Sequence, residues 1–497
     1  MPYGPGPPIR PQVAAALSTI EPVPASKPRK KKPARTASRS GNPATRRAER
    51  ESAEERRVSR AAWQHSDSPF GEYRRQLDRQ RMKNASYDAE PIVADLLSLD
   101  GTVDQVEDAL CRMLGETLAE QDQVSDAALA RSQEVLGAYS PDQLLQAVTD
   151  IAVREAHRAV AVDGDPQTRD AAWQMQLAIC RITPYPAAEL TIAAGDQLRA
   201  MATPRPDGDT TATPQGPALW CRDAYGTRFA ITAPFATDAN TPTAGSPARW
   251  YLWDIDACGS DAYTVGAGYF PDADAALAAW RAAAGTRATA GAVLEPVTDP
   301  CLAARLLPGL PAFFHPGGEN QEQYAEFHRC RRLAQALRSS KYFDGSATGS
   351  GPASPPAPED REWFDQQDWD GKDQWIGEFA AWRAMHRPGA RAIPEDFPIV
   401  EGADPLTENE LYRELLSSWF TGEFPEFAYC CSPHRIALLH DHLTDFYDDD
   451  FAQVITGLVP DLVAWLSEQA TLPADLVPQP AADTARDHLN PLDRVQE

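Results

Sequence analysis

Lysine is nearly missing from this chain, with seven residues against forty arginines in 497. Alanine is abundant, and together these are the coding bias of a GC-rich genome, so a bacterial source is expected. No stretch approaches eighteen consecutive apolar residues, which excludes an apolar spanning helix. Met1 to Arg10 lacks the apolar segment of a signal peptide, and a cytoplasmic protein without membrane contact is expected. There is no Cys-x-x-Cys pair. The eight cysteines (Cys111, Cys180, Cys221, Cys258, Cys301, Cys330, Cys430 and Cys431) are scattered, and they read as small buried apolar residues rather than a disulfide framework or a metal centre. G-x-x-x-x-G-K-[ST], H-E-x-x-H and G-x-S-x-G are all absent. Val265-Gly266-Ala267-Gly268 runs into Tyr269-Phe270-Pro271 instead of a helix start, so it is no dinucleotide fingerprint. No cofactor and no catalytic residue is expected.

What the chain does have is a division of charge. Residues 1–84 hold 19 Lys+Arg and 8 Asp+Glu, a net of +11. The rest holds 28 (47 − 19) basic and 64 (72 − 8) acidic residues, a net of −36. Residues 1–44, rich in Pro, Ala, Ser and Lys, lack the apolar area to offset chain entropy, which predicts disorder. Residues 45–64 interleave Arg and Glu, as in Arg47/Glu51 and Arg50/Glu54, and support a solvated helix at most. A second basic run spans Arg74 to Lys83.

The remainder predicts an α+β, predominantly helical chain. Between 85 and 202 the period is helical. Val103, Val106, Leu110, Met113, Leu114 and Leu118 form one stripe, with Thr102-x-x-Gln105 as a capping box before it. Ser140-Pro141-Asp142-Gln143 opens a second helix and Asp165-Pro166 a third, carrying Trp173, Leu177 and Cys180. These predict a helical bundle. A Pro/Gly/Thr-rich linker covers 203–217. Residues 218–290 predict a small antiparallel β-β-β-α unit with strands Arg228–Phe235, Trp250–Asp256 and Tyr263–Phe270, then a helix over 273–283 capped by Asp272. One helix across one face is the expected arrangement.

A helical extension follows at 291–343 and a flexible-to-stiff linker at 344–358. A helical C-terminal domain is expected over 359–470, with Thr407-x-x-Glu410 and Ser432-Pro433 as helix starts, and a flexible tail over 471–497.

The strongest candidate site is the basic arm. Lys27, Arg29, Lys30, Lys31, Lys32 and Arg35 have the charge to contact phosphates, with nucleic acid or another polyanion as the expected partner. The competing reading is a solvated tail, or an arm paired with the body's own carboxylates. Trp363, Trp369, Trp375 and Trp382 are candidates for a protein-partner surface, against simple burial.

Cys430-Cys431-Ser432-Pro433-His434, with His440 and His442, has metal-ligand types. Adjacent cysteines point apart, however, and Ser432-Pro433 already serves as a helix start, so cap and core are expected instead. Gln366-x-Asp368-x-Asp370-Gly371 has the spacing of half a calcium loop, but Gly377 stands where the bidentate Glu belongs. Trp250, Tyr251, Trp253, Tyr263, Tyr269 and Phe270 lie beside Asp254, Asp256 and Asp261, which repel phosphate, so packing is expected there rather than base stacking.

Two stretches resemble known groups. Tyr263–Gly285 (YTVGAGYFPDADAALAAWRAAAG) is similar in outline to the small sheets of HicB-like antitoxins, where a strand, an acidic turn and an Ala-rich helix follow in order. Cys431–Pro473 resembles a helical C-terminal segment of uncharacterised actinobacterial proteins, some of plasmid or mobile-element context, a likeness that carries no catalytic residue. The expectation is a binding or adaptor protein. Its alternatives are an antitoxin-like or mobile-element accessory protein, and an enzyme whose site is assembled from distant parts of the chain.

Overall fold

A computed structural model describes residues 69–129, 138–161, 166–184, 192–193, 195–197, 200, 213–236, 248–258, 262–308, 320–343, 373–393, 406–419, 427 and 429–478. The chain is predominantly helical with one small antiparallel sheet. Among the described residues no helix is long and apolar enough to cross a membrane.

Among the described residues the first four long helices are α1 (Pro69–Ser98), α2 (Val103–Leu129), α3 (Pro141–Ala161) and α4 (Pro166–Ile182). Their starts follow from the caps. Gln105 Oε1 accepts the Thr102 N–H at 2.8 Å and Thr102 Oγ1 accepts the Gln105 N–H. The Ser140/Gln143 pair does the same for α3. Val106, Leu110, Leu114 and Leu118 are buried against Leu144, Val148 and Ile179. The bounds at 84 and 85 fall inside α1, which is apolar only in its later half. Ala85, Ala89, Ile92, Val93 and Leu96 dock it on the bundle, so the basic run Arg74–Lys83 is the leading part of a docked helix.

The sheet has five strands in the order β4-β3-β2-β1-β5. They are β1 (Leu219–Arg222), β2 (Arg228–Ala236), β3 (Ala248–Asp256), β4 (Tyr263–Phe270) and β5 (Glu295–Pro296), all pairing antiparallel. The sheet therefore reaches past residue 290. Two more helices lie near it in the chain, α5 (Ala273–Ala284) and α6 (Pro300–Leu306), and a third, α7 (Gln321–Arg338), follows. Asp272 caps α5 by accepting the Ala275 N–H at 2.7 Å.

Both faces of the sheet are covered, because β2 is apolar on both. Ala230 and Leu252 meet Leu277 and Trp280 of α5. Phe229, Ile231, Phe235, Tyr251 and Trp253 meet Leu306 of α6 and Leu333 and Leu337 of α7. Single-face cover was the sequence expectation, and the apolar residues on alternate positions of β2 explain the second layer.

Helix α7 also serves the bundle. Its Arg329 reaches Glu107 at 2.9 Å and Asp108 at 2.8 Å on α2, while Trp253 Nε1 donates to the Cys330 carbonyl at 2.9 Å. Gly115 makes this approach feasible: a Cβ there would lie 2.5 Å from the Gln321 carbonyl oxygen and 2.8 Å from the Ala325 Cβ.

The last helices among the described residues are α8 (373–386), α9 (Glu408–Trp419), α10 (Pro433–Phe446), α11 (Asp449–Thr456) and α12 (Val459–Gln469). Phe379, Leu411, Leu415, Trp419, Leu443, Leu462 and Trp465 fill their core. Residues 471–478, expected to be loose, fold back so that Leu472 and Val477 pack against it.

Candidate functional site

Strand alternation places Asp254 and Asp256 on the same side of β3. Arg228 on β2 lies opposite Asp256 in register, yet its guanidinium binds Asp254 through two hydrogen bonds of 2.8 and 2.7 Å. Asp254 is neutralised within the sheet, and Asp256 is left to another partner. That partner is His434, whose Nδ1 lies 2.6 Å from Asp256 Oδ2, although 178 residues separate the two in the chain.

Local chemistry fixes each group. Beyond β3 the chain turns so that the Cys258 N–H donates to Asp256 Oδ1 at 2.7 Å, an Asx-type turn that folds the cysteine back over its own strand end. Ser432 caps α10 by accepting the Arg435 N–H, and Pro433 takes the first helical position. The Ser432 hydroxyl lies 3.1 Å from Cys258 Sγ. His434 thus stands in the first turn of α10, where the dipole favours a carboxylate such as Asp256. One carboxylate oxygen, Cys258 Sγ and one imidazole nitrogen all lie within 4.8 Å of one another. Asp256 and Cys258 are buried and His434 is 36% exposed, so the cluster reaches solvent at the histidine.

Burial pushes the Asp256 carboxyl up, but the hydrogen bond and charge of His434, with the Cys258 N–H, outweigh it and hold Asp256 below the usual carboxylate range. Burial and the neighbouring Asp256 charge push the Cys258 thiol well above its ordinary value. Asp223 lies nearby in the β1–β2 turn. Its Oδ1 accepts the Thr227 and Arg228 N–H groups, and Gly226 supplies the positive φ (78°) that closes the turn. Burial lifts the Asp223 carboxyl to about 6. The Arg435 guanidinium is buried beneath the cluster, donates to the carbonyls of Phe427, Cys430 and Trp419, and lies over the Trp419 ring.

The metal-ligand types gathered at 430–442 therefore separate. His434 alone joins the cluster. Cys431 is buried, its thiol pushed up to about 12 by burial, and Cys430 Sγ faces the Gly226 carbonyl. His440 and His442 lie further along α10, beside Thr444 and Phe446. The one sequence signal for the other two donors is the spacing Asp254-x-Asp256-x-Cys258 at a strand end.

Lys27, Arg29, Lys30, Lys31, Lys32 and Arg35 lie outside the described residues, as do Trp363, Trp369 and residues 366–372. Trp375 is half-buried against the C-terminal core. Trp382 is buried, stacked on His386, and donates to Glu468 Oε2 at 2.7 Å. Tyr251 and Trp253 are core residues beneath α7 rather than a stacking platform. Comparison with family models, curated proteins and solved structures found no match to this chain.

Proposed function

We propose that the chain is a non-enzymatic binding or adaptor protein of a GC-rich bacterium. Its basic arm engages nucleic acid or another polyanion through Lys27, Arg29, Lys30, Lys31, Lys32 and Arg35. Its acidic C-terminal part, which carries Trp363, Trp369, the half-buried Trp375 and the buried Trp382, engages a protein partner. The observation that carries this reading is the division of charge, +11 over residues 1–84 and −36 over the rest.

The ion pairs of the body support it. Arg181, Arg228, Arg329, Arg331 and Arg383 are each bound to carboxylates of the same chain. Cations already paired add little attraction for phosphate, so polyanion contact falls to the arm.

The test compares the full chain with a variant carrying glutamine at those six positions, binding DNA and RNA over a salt series. With six phosphate contacts, affinity for duplex DNA falls about a thousandfold between 50 and 200 mM salt, and the variant loses that dependence. A shallow slope, or equal binding by both proteins, refutes the arm assignment. Capture of a small neighbouring-gene product without nucleic-acid binding moves the reading to an antitoxin-like accessory protein. The convergence of Asp256, Cys258 and His434 is the observation that favours an enzyme assembled across the chain.

A further inference from the structure

We propose that Asp256, Cys258 and His434 form a binding site for a single zinc-class divalent ion, independently of what the arm binds. The three side chains come from a strand end, the turn after it and the first turn of a distant helix, and they converge within 4.8 Å. A tetrahedral zinc site with these donors has ligand-to-ligand separations of roughly 3.3–3.6 Å. The convergence is therefore within about an ångström of what the ion needs. The 2.6 Å contact between His434 and Asp256 opens as the ion takes the place of the shared hydrogen.

The same distances argue against a thiol–imidazole–carboxylate relay. In a relay the nucleophile and the carboxylate bind opposite ring nitrogens, which sets them roughly 7 Å apart. Here the carboxylate and the sulfur lie within 4.8 Å. All three donor atoms gather at one spot rather than standing in a line.

The donor set selects the ion. One thiolate, one imidazole and one carboxylate suit zinc, and cobalt as its spectroscopic substitute, and do not suit calcium or magnesium. On binding, the Cys258 thiol proton passes to solvent, the hydrogen displaced from between His434 and Asp256 passes to solvent or to His434 Nε2, and two anionic ligands balance the divalent charge.

Surrounding groups are consistent with this. Asp254 is held by Arg228 and does not compete, while Asp223 adds negative charge from the β1–β2 turn. The Arg435 cation is held by the carbonyls of Phe427, Cys430 and Trp419 close enough to Cys258 and Asp256 to favour their anionic forms. The supporting contacts are already in place: the Cys258 N–H orients Asp256, and the Ser432 hydroxyl lies 3.1 Å from the sulfur. Three protein ligands leave the fourth position open on the exposed side of His434, for water or an incoming ligand atom. The ion would tie the end of β3 to the start of α10.

The experiment titrates cobalt(II), then zinc, into the metal-stripped full-length chain, followed by visible and near-ultraviolet absorption. The expected result is one ion per chain, the visible bands of tetrahedral cobalt, a thiolate-to-cobalt band, and displacement of both by zinc. Cys258→Ser abolishes the thiolate band. Asp256→Asn and His434→Gln each weaken zinc binding at least tenfold, whereas Cys430→Ser and His440→Gln leave it unchanged. The wild-type spectrum alone suffices to overturn the proposal, whether or not a variant folds: no thiolate band, or octahedral cobalt only, refutes the site. A band that is lost with Cys430→Ser and kept with Cys258→Ser refutes it equally.

Discussion

Gly115 and Gly377 both sit inside helices, and alanine at each should act in opposite directions. An exposed helical Gly→Ala change gains up to about 1 kcal/mol from reduced chain entropy. At Gly377 in α8 the new methyl meets nothing within 4 Å, so that gain should appear in full. At Gly115 in α2 the methyl meets the Gln321 carbonyl oxygen at 2.5 Å and the Ala325 nitrogen at 2.9 Å, both backbone atoms of α7. Backbone cannot rotate away, so α7 must shift. Overpacking of this kind costs about 3 kcal/mol at the upper end of its range. Less the helical gain, Gly115→Ala should destabilise by about 2 kcal/mol, roughly a thirtyfold rise in local opening. Peptide-level hydrogen exchange reads this directly: α2 and α7 lose protection in Gly115→Ala, and α8 gains protection in Gly377→Ala. Unchanged or increased protection of α7 in Gly115→Ala would refute the close approach of the two helices.

Asp223 predicts a gain at neutral pH. Its carboxyl titrates near 6 in the fold against 3.8 in the open chain, so the stability it contributes is full below 3.8 and lost as pH rises through 6. Asp223→Asn keeps the oxygen that accepts both N–H groups and should be more stable at pH 8 by up to about 3 kcal/mol, with no gain at pH 3.5, as read by denaturant midpoints. His328 predicts the converse. Burial holds it neutral to about 4 against 6.5 unfolded, so stability falls as pH is lowered from 6.5 to 4, and His328→Gln should flatten that slope. Asp461 holds Arg383 at 2.8 Å and Arg387 at 2.9 Å. Asp461→Asn leaves the buried Arg383 without its carboxylate, with only the Tyr412 hydroxyl and the Arg391 carbonyl beside it, and should cost about 3 kcal/mol in thermal or denaturant unfolding, whereas Arg387→Gln, at the exposed end of the same group, should cost under about 1 kcal/mol.

Local chemistry was legible in the sequence. The caps at Thr102, Ser140, Asp272, Thr407 and Ser432 all form, because a cap needs only residues three apart. Strand β4 falls at Tyr263–Phe270 as its aromatic and β-branched content indicates. Strands β1 and β5, of four and two residues, are too short for any period to register. The second cover of the sheet was hidden for a different reason: the stripe of α7 serves two cores at once, and its pair Arg329–Asp108 spans 221 residues. The cluster shows the same limit. His434 stands beside Cys430 and Cys431 in the sequence, but its companions lie 176 and 178 positions earlier, where only an alternating Asp-x-Asp-x-Cys marks them.

Because α7 returns to α2 after the whole sheet has been threaded, the packing of α1–α4 is completed only when residue 338 has been made. A fragment ending near residue 200 would leave uncovered the flank of α2 at Gly115, where Gln321 and Ala325 of α7 lie against it, and should clump or be degraded. During synthesis those first helices must wait for some 150 further residues, a delay in which a chaperone would find its natural place.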